Sequence, residues 1–126
     1  MSNEQLAGRI AALQERFLDQ LPERTRRLED ALALIGLDDE AAKTAHLVVH
    51  SLAGAGATFG CPEVSKAARQ METTLFPAGT PRGSFDADYR QCIPELLDAL
   101  RLAVSQALDR RTSRNQSPVG RISQEP

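Results

Sequence analysis

Side chains able to do chemistry are few in this chain. There are two histidines, His46 and His50, and two cysteines, Cys61 and Cys92. His50 opens the stretch "HSLAGAGATFG", residues 50–60, which carries three glycines. A glycine inside a helix costs about 1 kcal/mol relative to alanine. Gly54 and Gly56 therefore need a reason: close packing between helices, or a partner that must approach the backbone beside the imidazole. Neutral imidazole is a nucleophile and base near physiological pH, so His50 is the first candidate for a reacting group.

Other chemistries are less well supported. His46 and His50 stand i, i+4 apart, the pitch of the two histidines of the H-E-x-x-H zinc motif, and Glu72 is a third possible ligand. Here the stretch reads H-L-V-V-H, with no acid between the histidines, so the metal signal is weak. The cysteines form no C-x-x-C or zinc spacing and read as reduced thiols of a cytosolic protein. Cys61 precedes a helix start, where a thiol pKa can fall, but a small buried side chain beside a turn is the better reading. No P-loop or kinase glycine-rich loop occurs. The net charge is −2, which gives no general attraction to nucleic acid or anionic membranes. The first residues contain an acid and no apolar core, so no signal peptide is expected. No apolar run approaches the ~18 residues that span a bilayer. The expectation is a cytoplasmic, freestanding monomer.

The elements that must position His50 are helical. Ser2 and Gln5 form a capping box, and Leu6, Ile10, Leu13 and Phe17 follow at helical spacing, predicting a first helix over about 3–20. Pro22 suits the first turn of a second helix, with Leu28, Ala31, Leu32 and Ile35 as its stripe and Gly36 as its stop. Asp38, Asp39 and Glu40 put acid at the start of a third helix running to about Phe59. Pro62 starts a fourth, with Val64, Ala68, Met71 and Leu75 on one stripe. "FPAGTPRGS" reads as a loop. From Asp86 a last helix runs to about Arg111 on Ile93, Leu96, Leu97, Leu100, Val104 and Leu108, with Pro94 as a kink or the true start. The predicted class is all-α: an antiparallel up-down four-helix bundle with an extra N-terminal helix. Residues 1–111 form the domain, and 112–126 are a polar, disordered tail.

At 100° per residue, Ala45, Val48, Leu52, Ala55 and Phe59 form the core stripe of the third helix, and His50 lies almost opposite. Lys43, His46, Leu47, Ala53, Gly54 and Ala57 share its face. The residues in the turns after His50 are small, so the imidazole stands clear for a partner. Gly54 lies on that face and permits approach to the ring. Gly56 lies nearer the core flank, where helix packing explains it.

Residues 45–75, "AHLVVHSLAGAGATFGCPEVSKAARQMETTL", resemble the histidine-containing phosphotransfer (HPt) family. The family pattern, H-x-L-K-G, small residues, a further glycine, then a helix with an L-E-like pair, falls on His50, Leu52, Ala53, Gly54, Gly60, Met71 and Glu72. The resemblance implies a helical bundle that carries a phosphoryl group on His50 between receiver-domain aspartates, without kinase activity. It implies that Gly54 keeps space for the phosphoryl group and that Glu72 hydrogen-bonds the imidazole. The receiver domains of response regulators and of a hybrid sensor kinase are the implied partners. The receiver supplies Mg²⁺, so no cofactor or metal of the chain's own is expected. Lys43, His46, Leu47, Ala53, Ala57 and Arg69 are the expected partner-facing residues around His50.

The chain departs from the family at Ala53, where a Lys or Arg usually stands. Lys43 and Arg69 are the candidates to supply that charge, against the plainer reading of each as a solvated helix face. The alternative is a docking module that binds a receiver or kinase and inhibits it without carrying phosphate.

Overall fold

The computed structural model describes residues 2–77 and 86–124, with side chains to residue 115. Four helices run along it: α1 (Asn3–Ala33), α2 (Ala41–Thr58), α3 (Pro62–Leu75) and α4 (Ala87–Gln124). There is no strand among the described residues. Each helix packs on its neighbour in sequence, and α4 closes the ring against α1.

Paired contacts show that each packed pair is antiparallel. Between α1 and α4, Arg101 reaches Glu29 while Arg111 reaches Asp19. Between α1 and α2, Arg24 meets Ser51, and Gln14 meets the Phe59 carbonyl just past α2. Between α3 and α4, Glu63 pairs with Arg110 while Tyr89 bonds the Leu75 carbonyl. The expected up-down bundle is the observed one.

The helix boundaries differ from expectation at Pro22. The two helices expected on either side of it are one, α1, with Pro22 inside. The segment expected as an extra N-terminal helix is its first half. Phe17, Leu18, Leu21, Thr25, Leu28, Ala31 and Leu32 bury one continuous stripe across the proline. Interior proline costs about 3 kcal/mol. Burying each leucine stabilises by about 1.5–3 kcal/mol, so keeping the stripe straight outweighs the lost ladder bond. Pro22 itself is exposed, where its ring disturbs no packing. Gly36, at φ 87°, ends the turn after α1.

The Ser2–Gln5 capping box is present in both directions. Pro62 takes the first turn of α3. Pro94 lies inside α4, which begins earlier, at Ala87, where the Asp86 carboxylate caps the Tyr89 N–H. The helix also continues past Arg111, the expected end of the bundle, to Gln124. Thr112, Ser113, Arg114 and Asn115 are exposed there, and the Thr112 hydroxyl bonds the Leu108 carbonyl. Phe76 and Pro77 start the expected loop; its remaining residues lie outside the described ones. Phe76 is buried, as is Tyr89, whose hydroxyl donates to the Leu75 carbonyl at 3.0 Å. Together they lock the end of α3, where the functional side chains gather.

Candidate functional site

The most closely packed pair is α2 with α3. Gly56 permits it. A Cβ there would lie 2.9 Å from the Ser65 nitrogen and 3.1 Å from the Cys61 carbonyl oxygen. Ser65 is buried on the facing helix and donates to the Ala53 carbonyl at 2.7 Å. With the backbones held this close, side chains one and two turns along can meet across the groove.

Glu72 projects from α3 toward α2. Its Oε2 accepts the His50 Nδ1–H at 2.7 Å and the His46 Nε2–H at 3.2 Å. The carboxylate has no proton to give, so it selects the tautomer of each ring. On His50 that leaves the Nε2 lone pair free. The His50 side chain is 71% exposed, against 24% for Glu72. One end of the imidazole is therefore held by a sheltered carboxylate while the other faces solvent.

His46 is the second partner of the carboxylate. Its ring lies 5.3 Å from the buried Phe76 ring and 5.8 Å from that of His50. His46, expected among the partner-facing residues, is only 25% exposed and tied to Glu72. The cause is the α3 terminus, where the buried Phe76 ring lies against the His46 ring and shelters that face of α2.

Ala53 also departs from expectation. It is buried at 4% exposure, not part of an open rim, because the tight α2–α3 contact through Gly56 and Ser65 turns that position inward. Leu47, Gly54 and Ala57 are exposed beside His50 as expected. A Cβ on Gly54 would meet nothing within 4 Å, so no packing demand explains this glycine.

Of the two expected cations, Lys43 is exposed and lies 3.8 Å from Glu40, at the far end of α2 from Gly54. Arg69 is better placed. Its Nε donates to Ser65 Oγ at 3.2 Å. That hydroxyl in turn donates to the Ala53 carbonyl, so the guanidinium is tethered beside the turn that follows His50. Sequence reasoning missed Ser65 and Phe76. A serine on the buried stripe between Val64 and Ala68 was the available signal for the first.

Cys61 is buried at the start of α3. Burial, and then the Glu63 carboxylate, push its thiol above the ordinary value. This agrees with a small interior side chain and not an activated nucleophile.

The Hpt domain family model matches residues 12–110. The chain belongs to the Hpt domain family. Neither a curated protein nor a solved structure matches it. The matched span includes α2 and α3 whole and begins inside α1. Membership gives the chain a phosphotransfer role in two-component signalling, with receiver domains and histidine kinases as the partner classes of such modules. Hpt domains are phosphocarriers and not kinases. Among the described residues, no helix is long and apolar enough to cross a membrane.

Proposed function

We propose that His50 is the phosphoacceptor, taking a phosphoryl group from one receiver-domain aspartate and passing it to another. The observation that carries this reading is the 2.7 Å bond from His50 Nδ1 to Glu72 on a ring otherwise open to solvent. The Nε2 lone pair attacks phosphorus in line as the bond to the aspartyl oxygen breaks. Positive charge develops on the imidazole, and the Glu72 carboxylate on Nδ1–H stabilises it. A hydrogen bond to a charged group contributes about 1.5–3 kcal/mol. Reversal of the same step delivers the group to the next receiver. Mg²⁺ enters with the receiver, which carries the metal-assisted part of the chemistry.

Gly54 leaves room for the phosphoryl oxygens one turn beyond the ring. Leu47 and Ala57 form the apolar contact around it. Arg69 supplies the cation that Ala53 lacks, held by Ser65 beside the phosphoryl position. The partners are the receiver domains of response regulators and of a hybrid sensor kinase, met by a cytoplasmic monomer.

The test is transfer of labelled phosphate from a panel of phosphorylated receiver domains to the purified chain. Acid-labile label on the chain supports the carrier, and the fastest donor identifies its partner. Tight binding to one receiver with no label from any of them overturns the carrier in favour of a docking module, with Ala53 as its mark.

A further inference from the structure

We propose that His46 Nε2, His50 Nδ1 and Glu72 Oε2 bind a divalent metal ion of the zinc class, and that the bound metal blocks phosphorylation of His50. One ligand atom from each of the three residues lies within 4.8 Å of the other two. Zinc bonds of about 2.0–2.1 Å at tetrahedral angles place ligand atoms about 3.3 Å apart. His46 Nε2 and Glu72 Oε2 already stand at 3.2 Å. The 2.7 Å between His50 Nδ1 and the same oxygen must open by about 0.6 Å to reach that spacing. The His50 side chain is exposed and free to make that movement.

The donor set decides the class of metal. Two imidazole nitrogens with one carboxylate suit zinc, copper or nickel, whereas magnesium and calcium seek oxygen ligands. Two ligands come from successive turns of α2 and the third from α3, so the site is built on packed helices. The Phe76 ring against His46 holds one imidazole in place before any metal arrives. The solvent side of His50 leaves a fourth position for water.

Metal binding and phosphoryl transfer need opposite tautomers. When both rings donate to Glu72, His46 Nε2 and His50 Nδ1 carry protons. A metal takes the lone pairs of those same atoms. Each neutral ring moves its proton to its other nitrogen through water, so no net proton is released. His50 Nε2 then holds a hydrogen and has no lone pair with which to attack phosphorus. This block rests on the proposed phosphotransfer; the metal site itself does not.

Titration of zinc into the full chain by calorimetry tests the site, with His46→Ala and Glu72→Ala beside the wild type and circular dichroism as the check on folding. One zinc per chain is expected, in about the micromolar range. Each variant should bind at least about tenfold more weakly. His46→Gln serves if His46→Ala loses helicity. Equal affinity in the wild type and the folded His46 variant overturns the site, as does an absence of zinc binding to the wild type. In a second arm, phosphoryl transfer is measured with and without zinc, each protein relative to its own zinc-free rate. Slowing in the wild type but not in the His46 variant supports the block. Equal sensitivity of the two overturns it. A chain that takes no label even without zinc refutes the phosphotransfer reading, and the calorimetry still decides the metal site.

Discussion

Two glycines of α2, two residues apart, should respond to alanine in opposite directions. Gly54 is exposed inside the helix, and a Cβ there meets nothing within 4 Å. Gly54→Ala removes only the entropic penalty of glycine and should stabilise by about 1 kcal/mol. For a chain of this length that raises Tm by about 4 °C. At Gly56 the added Cβ would stand 2.9 Å from Ser65 N, 3.1 Å from Cys61 O and 3.3 Å from Ser65 Cα. All three are backbone atoms, so no rotamer change relieves them and α2 and α3 must separate. Overpacking of this kind costs about 3 kcal/mol, the upper end of its usual range. After the helix gain of about 1 kcal/mol, a net loss of about 2 kcal/mol remains. Thermal melts of the two variants should differ by about 12 °C. Phosphoryl transfer adds a second axis. Gly54→Ala should be more stable yet slower, because its methyl group stands on the face that the phosphoryl group must reach. A Gly56→Ala variant as stable as wild type would refute the packing argument. A Gly54→Ala variant that transfers at the wild-type rate would remove Gly54 from the site.

Glu72→Ala should slow transfer by about 10- to 100-fold, the loss of one hydrogen bond to a charged group, while circular dichroism remains helical. A collapse of helicity in that variant would make Glu72 structural instead. Tyr89→Phe should destabilise the bundle by about 1–3 kcal/mol in urea titrations, because the Leu75 carbonyl loses its buried donor. The Cys61 thiol is pushed up by burial. A thiol reagent at pH 8 should therefore label it slowly in the native chain and quickly in denaturant. The folded chain retains a proton that the unfolded chain releases, so Cys61 also lowers stability as pH rises through the ordinary thiol range.

The bundle was legible because its stripes are long and regular. Val64, Ala68, Met71 and Leu75 recur at helical spacing and are all buried in α3. Pro22 misled because a local helix breaker was weighed without the stripe that crosses it; Leu21 and Leu28 are fully buried on either side. Within the site, His50 was readable from its helical register and Glu72 from the family resemblance, and the two meet at 2.7 Å. The shelter of His46 was not readable, because it comes from Phe76, a residue beyond the end of α3 whose ring against His46 leaves no periodic trace. Ala53 was assigned to the open face because a helical wheel has no knowledge of how close the neighbouring helix stands. Gly56 and Ser65 bring α3 near enough to bury it.

The most direct test of the account compares wild type and His50→Gln with one phosphorylated receiver domain, reading the amount and acid lability of label on each chain. The account predicts acid-labile label on wild type and none on His50→Gln, with both proteins equally helical. Label of the same amount and lability on the variant would place the phosphoryl group on another residue and contradict the assignment of His50.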